Sequence, residues 1–367
     1  MLKVFVVAGA RPNFMKIAPI VRVARNLNKV SCKIVHTGQH YDYDMSQSFF
    51  EDLELPEPDY YLNAGSGTHA QQTARIMMSF EDLCLQDRPS LIIVVGDVNS
   101  TLACAVVAKK LLIDVAHVEA GLRSFDLAMP EEINRMVTDA ISDYFFVTEK
   151  SAVKNLIREG KNKTRIHYVG HVMIDNLLYQ LKRMQVDNGS DYSSKEIKRS
   201  NPGYAFLTLH RPANVDKRDS FQEIAEAINV IAGERPILFP VHPRTRNKMA
   251  EHEISLAKTV IQLPPLSFRE SLYLWKDATV VMTDSGGLQE ESTALRVPCM
   301  TLRENTERPI TVEVGSNTLA GTKKESILAA YKRVLLRNPK TFRIPPKWDG
   351  KSAERIWSVL LQGAEYS

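Results

Sequence analysis

The sequence predicts an α/β protein built from two α/β halves, the first of them doubly wound. Short β-branched runs alternate with longer segments of helical apolar spacing along the chain. Most of these runs are apolar at nearly every position, which marks parallel strands covered on both faces. The alternation breaks over QVDNGSDYSSKEIKRSNPG, residues 185–203, and then restarts.

In the first half the strand candidates are LKVFVVA, CKIVHT, LIIVVGD, VAHVEA, DYFFVT and RIHYVG. Between them FMKIAPIVRVARNL, QQTARIMMSFEDLCL, STLACAVVAKKLL, EEINRMVTDAI and SAVKNLIREG repeat apolar residues at helical spacing. In the second half YAFLTLH, PILFPVH, VIQLPP, ATVVMTD, PCMTLR and SNTLAG are strand-like, with helices such as SFQEIAEAINVIA and SGGLQEESTALR between them. KSAERIWSVLLQG closes the chain as a helix.

Composition narrows the function class. The 367 residues are 44% hydrophobic and 25% charged, with a net charge of +4. The Lys and Arg are dispersed, so no nucleic-acid arm is indicated. No apolar run reaches membrane-spanning length, and the N-terminus lacks a signal-peptide pattern. A cytoplasmic protein is expected. Cys32, Cys84, Cys104 and Cys299 form no Cys-x-x-Cys pair, so neither a zinc site nor a disulfide framework is expected.

In open parallel sheets ligands bind beyond the carboxyl ends of the strands, and here those ends are polar. They carry Gly9-Ala10-Arg11, Thr37-Gly38-Gln39-His40, Gly96-Asp97 and Glu119 in the first half. In the second they carry His210-Arg211, His242-Pro243-Arg244, Asp284-Ser285-Gly286-Gly287 and Arg303-Glu304. GARPNFMK places Arg11 and Lys16 at a helix start, where a cation opposes the helix dipole unless an anion lies near. Neither a dinucleotide fingerprint nor a phosphate loop of the G-x-x-x-x-G-K type occurs, so no nicotinamide is expected. TDSGGLQEE runs a strand into glycines and a helix start suited to an anion. Glu290 and Glu291 follow about a turn later, as ribose acceptors or as acids complementing the dipole. His117 and Glu119 share a strand face, but a third metal ligand in register is missing, and metal is discounted. HVEAGLRSFDLAMPEEINR, residues 117–135, gathers Glu119, Asp126, Glu131 and Glu132 with two arginines, as a solvated loop or as an acid/base centre.

GARPNFMKIAP, VVGDVNSTLA, HVEAGLRSFDLAMPEEINR, TLHRPAN and TDSGGLQEESTALRVPCMTLRENTERP, in that order, resemble the non-hydrolysing UDP-N-acetylglucosamine 2-epimerases. The resemblance implies a GT-B architecture with the active site in the cleft between two Rossmann-like domains. It implies an N-terminal domain over 1–172, with a C-terminal helix at about 352–367 packing back on it, and a UDP-binding domain over 173–351. It implies a homodimer acting on a UDP-sugar without a cofactor. The implied reaction interconverts UDP-GlcNAc and UDP-ManNAc, a surface-polysaccharide precursor, by eliminating UDP to 2-acetamidoglucal and adding it back. By family position Asp97, Glu119, Glu131 and His210 are catalytic. Arg11, Lys16, Arg211, His242, Ser285, Gly286, Gly287, Glu291 and Arg303 bind substrate.

Two departures stand out. LAMPEE replaces the SPWPEE-like stretch of well-known bacterial members, and the form GLRSF…MPEEINR also resembles relatives acting on UDP-2,3-diacetamido-2,3-dideoxyglucuronate. QHYDYDMSQSFF lacks the Gln-rich pattern of allosteric members, which implies hyperbolic kinetics. A GT-B glycosyltransferase, a hydrolysing relative and a non-catalytic binder are the competing readings.

Overall fold

The computed structural model describes residues 1–38, 50, 53–186 and 192–364. The chain divides into two compact units, Met1–Leu178 with Lys347–Ser367, and Tyr179–Pro346.

The first unit is a seven-stranded parallel sheet: β1 (Leu2–Ala8), β2 (Val30–His36), β3 (Tyr60–Tyr61), β4 (Leu91–Val95), β5 (Asp114–Val118), β6 (Tyr144–Val147) and β7 (Ile166–Tyr168), in the spatial order β3-β2-β1-β4-β5-β6-β7. The expected strands are all present. The two-residue β3 was not anticipated, because two residues are too few to show a period. Alternate side chains of β1 go to opposite faces. Val4, Val6 and Ala8 join one apolar cluster, while Phe5 and Val7 join another. Both faces are dry, as the unbroken apolar runs required. The C-terminal helix Ser352–Ala364 belongs to this unit. Its Ala353, Ile356, Trp357 and Leu360 are buried in the cluster that includes β1 and the helix Arg11–Ala24, and the Trp357 indole N–H donates to the Ile20 carbonyl at 2.8 Å. At its start the Ala353 N–H donates to the buried Asp175 carboxylate at 2.8 Å, an anion placed where the helix dipole favours one.

The second unit is a six-stranded parallel sheet: β8 (Ala205–Thr208), β9 (Ile237–Pro240), β10 (Val260–Leu263), β11 (Val281–Thr283), β12 (Cys299–Thr301) and β13 (Asn317–Leu319), in the order β10-β9-β8-β11-β12-β13. Every expected strand is present. The turn-rich segment around 185–203 contains a short helix, Lys195–Ser200, that its polar composition concealed.

Each sheet reverses its winding beside its first strand, between β1 and β4 and between β8 and β11. Helices leave on opposite faces at such a point, so a crevice opens at the carboxyl ends of the two strands. Arg11 and Asp97 follow β1 and β4, and His210 and Ser285 follow β8 and β11. No described helix is long and apolar enough to cross a membrane.

Candidate active site

In the first unit the turn after β4 approaches that after β5. Lys16, on the helix Arg11–Ala24, pairs with Glu119 at 2.5 Å, both nearly buried. Gly96 lies beside this pair at φ +68°, and a Cβ there would stand 2.8 Å from Lys16 Nζ and 3.7 Å from Glu119 Oε2. Glycine therefore serves twice, for the left-handed turn and for the space. Glu119 itself sits at φ +69°, a strained setting for a glutamate and of a kind concentrated at functional sites. Asp97 Oδ2 accepts from the Arg135 guanidinium at 2.5 Å, and its carbonyl accepts from Asn134 at 2.9 Å.

Glu131 and Glu132 open the helix Pro130–Ile141 and have opposite surroundings. Glu132 is buried and accepts from the backbone N–H groups of Ser124 and Phe125, at 2.9 and 3.0 Å, and from Arg135 at 2.8 Å. Burial acts to raise its carboxyl pKa, but these donors outweigh it and hold the group below the usual range. Glu131 is half-buried and makes no hydrogen bond or ion pair within the described residues. It stands in the first turn of the helix, where its charge complements the dipole, and the N-cap residue, Met129, makes no side-chain cap bond.

Of the expected residues in this unit, Lys16 and Glu119 meet, Asp97 lies on the adjoining turn, and Glu131 precedes the Glu132 that shares Arg135 with Asp97. The Arg11 side chain lies outside what is described, as do residues 39–49, where the QHYDYDMSQSFF departure falls. Asn13, Glu132, Asn134 and Arg135 support these groups; Glu132 and Arg135 stood out only as members of the charged stretch 117–135, and Asn13 and Asn134 were not singled out in the sequence. Asn13 accepts from Ala10 N–H at 3.0 Å and donates to the Val95 carbonyl at 3.0 Å, joining the turn after β1 to the end of β4. Their role depends on partners up to 82 residues away, which no local pattern records.

His117 is fully buried between Asp139, at 2.7 Å from Nδ1, and the Gly96 carbonyl, at 2.9 Å from Nε2. Both ring nitrogens are engaged. Among the described residues no group of three or more His, Cys, Asp or Glu could hold a metal ion.

In the second unit Asp284, fully buried at the end of β11, organises the switch point. Its Oδ2 accepts from His210 N–H at 2.8 Å and Arg211 N–H at 2.7 Å, and its Oδ1 lies 3.0 Å from His210 Nδ1. Burial pushes its carboxyl upward, but His210 and these backbone donors outweigh that and hold it below the usual range. An acceptor at Nδ1 leaves the His210 Nε2 edge open, on a side chain 41% exposed. Arg211 Nε donates to the Asp284 carbonyl at 3.0 Å, and its far nitrogen would lie 3.9 Å from a Cβ on Gly286. Among the described residues outside its own helix and chain neighbours nothing else comes within 4 Å of that position, so the backbone at the start of the helix Gly286–Ala294 is open to close approach. Gly287 is the second residue of this helix, and Ser285 is its N-cap without a side-chain cap bond.

Arg303 is clamped by both oxygens of Glu307, at 2.8 and 2.9 Å, and Arg308 lies 2.7 Å from Glu290. Arg211 is only 3.8 Å from Glu307, so it is the less committed cation beside Ser285 and Gly286. His242 accepts the Arg244 N–H at 3.2 Å through Nδ1 and so caps the helix Pro243–Glu251, with its ring 5.7 Å from that of His210. Burial and then His210 lower its pKa. Glu291 is buried, and burial together with Glu290 pushes its carboxyl up to about 8. Gln289, also buried and not anticipated, donates to the Ser285 carbonyl at 3.1 Å and accepts from Thr306 at 2.6 Å. It ties the helix start to the loop bearing Arg303 and Arg308.

The sequence profile described as UDP-N-acetylglucosamine 2-epimerase matches residues 22–361. The chain belongs to this family. The UDP-N-acetylglucosamine 2-epimerase of Methanocaldococcus jannaschii is 42% identical over 370 residues, covering 99% of this chain and all of that one. The crystal structure of the M. jannaschii UDP-GlcNAc 2-epimerase in complex with UDP-GlcNAc and UDP superposes with a TM-score of 0.87 at 42% identity, over 98% of this chain and all of the other. The UDP-2,3-diacetamido-2,3-dideoxy-D-glucuronate 2-epimerase of Pseudomonas aeruginosa is 39% identical over 337 residues, 91% of this chain and 92% of its own. The fold class of the family chain is GT-B, as expected.

Proposed function

We propose that the protein is a non-hydrolysing isomerase that interconverts UDP-GlcNAc and UDP-ManNAc. One observation carries the reading: Asp97 and Glu119 lie on adjoining turns at the carboxyl ends of the first sheet, each paired to a cation, and Glu131 opens the helix whose Arg135 holds Asp97. Inversion at C2 needs a proton taken from one face and returned to the other, hence at least two acid/base groups. C2–H is not activated by a carbonyl, so the C1–O bond must break as the proton leaves. Its electron pair departs with UDP, and the C2–H pair becomes the double bond of 2-acetamidoglucal. Re-addition of UDP at C1, with a proton delivered to the opposite face of C2, restores every atom.

The leaving diphosphate needs positive charge and N–H dipoles around it. In this reading His210, Arg211, Arg303 and the backbone of Ser285, Gly286 and Gly287 supply them, with Arg11 and His242 as further contacts. Glu291 holds the ribose, and Lys16 acts near the sugar. No cofactor takes part.

The reading includes a homodimer. On the helix Pro130–Ile141, Ile133, Met136 and Val137 form a stripe 38–43% exposed. On the helix His69–Gln86, two helices along the same side, Met78 and Leu85 are 68% and 65% exposed. Such apolar surface suits a second copy. A cytoplasmic location and supply of a surface-polysaccharide precursor belong to the same reading.

The 39% identical Pseudomonas relative favours a second reading, in which the sugar carries a second acetamido group and a carboxylate. The test is incubation of each UDP-sugar with the protein in D2O, following the anomeric and C2 proton signals. Epimerised product with deuterium at C2 supports the mechanism. Product with full protium at C2 excludes it, and the substrate turned over faster identifies the sugar. Release of free ManNAc would show a hydrolysing enzyme instead.

A further inference from the structure

We infer that the buried His117–Asp139 pair is the positioning device for the proton-transfer carboxylates, fixing the turns that carry Asp97 and Glu119 to the helix that carries Glu131. The inference rests on the epimerase reading above.

His117 is fully enclosed, so it touches no reacting atom and is a positioning residue. Its Nε2 faces the Gly96 carbonyl at 2.9 Å and its Nδ1 faces Asp139 Oδ1 at 2.7 Å. Both ring nitrogens are therefore engaged, one by a carbonyl and one by a carboxylate. The second oxygen of Asp139 accepts the Gly121 N–H at 2.9 Å and pairs with Arg123 at 2.7 Å. Burial would raise the Asp139 carboxyl, but His117 and Arg123 hold it below the usual range, so it remains an acceptor.

These bonds end beside the candidate carboxylates, on Gly96 and Gly121, and start from the helix that carries Glu131. Gly96 immediately precedes Asp97. Gly121 lies two residues beyond Glu119, in a turn where Glu119 and Gly121 both have positive φ, +69° and +77°. Asp139 stands about two turns along the helix that Glu131 opens. One ring and one carboxylate therefore link three segments that sequence separates. Two apolar side chains would fill the same volume without desolvating charge. Directed bonds to a carbonyl and an amide are what they could not provide.

Three variants separate positioning from simple support. His117→Asn keeps a donor where Nδ1 was and loses the Gly96 carbonyl. His117→Gln keeps one where Nε2 was and loses Asp139. Asp139→Asn keeps shape and removes the charge. For each, kcat and KM for the UDP-sugar are measured per UDP-binding site, counted by calorimetry. Misplacement by about an ångström costs up to ~10²-fold in rate, so kcat is expected to fall by about 10- to 100-fold. KM and UDP affinity should stay within about 2-fold, since no binding group is altered. A purely structural role would reduce the number of binding-competent sites and leave kcat per site intact. Values of kcat per site within about 2-fold of wild type would overturn the inference, as would failure of all three variants to fold. A wild type that epimerises no UDP-sugar refutes the epimerase reading itself, whereas an active wild type with unaltered variants refutes only the pair.

Discussion

Glu131 and Glu132 are neighbours in sequence and opposites in circumstance, and substitution should separate them. Glu131→Gln keeps the shape but cannot exchange a proton at neutral pH. It should melt near wild type and lose at least ~10²-fold in kcat, the lower end of acid/base effects. Glu132→Gln puts an amide NH2 where a backbone N–H is now accepted, and it weakens the hold on Arg135. It should lose roughly 1–3 kcal/mol of stability, the cost of a buried polar group left unmatched. Thermal melts and steady-state rates on both variants check the contrast. Sequence presented these two as one acidic pair, because what distinguishes them is the loop at Ser124 and Phe125 folding onto only one. Glu291 gives a pH prediction. Burial and the neighbouring Glu290 push its carboxyl in the folded chain up to about 8, above the ordinary glutamate value of 4.5. The folded chain therefore holds a proton that the unfolded chain releases, and stability from this group falls as pH rises from about 5 through 8. Wild-type Tm should decline over that range relative to Glu291→Gln, and parallel profiles would contradict the assignment.

At the scale of elements, strands and their order of appearance were legible because burial on both faces leaves a mark at nearly every position. Strand ends were legible as well, since the polar residues there interrupt apolar runs. Cross-links between ends were not: the Asn13 bridge and the Arg135 fork join residues far apart in the chain, and composition is blind to them. The short helix Lys195–Ser200 escaped because tertiary contacts hold it in a polar stretch, with Lys198 bonded to the Tyr273 carbonyl and to Asp277. The turn after β4 shows how one element depends on a missing side chain. Gly96→Ala should cost about 1–2 kcal/mol for a left-handed non-glycine residue and push Lys16 away from Glu119. A fall in kcat larger than the loss of stability explains, read from rates at a temperature well below the melt, is the expected outcome.

On the scale of the molecule, the second α/β unit is inserted into the first, whose last helix is encoded at the far end of the chain. That helix contributes core rather than cover. Trp357→Ala should destabilise the protein by roughly 3–5 kcal/mol, as for other buried tryptophans, and a denaturation curve would measure it. The amphipathic closing segment was readable in the sequence, whereas its destination came only through the family resemblance. A ribosome delivers the chain from the N-terminus at about 5–20 residues per second, so the first sheet emerges long before the helix that completes its core. Through that interval the groove awaiting Ala353, Ile356, Trp357 and Leu360 is open to chaperones and to unwanted association. A message truncated between the last strand, Asn317–Leu319, and this helix would yield a chain whose second unit has all its strands and whose first can never close.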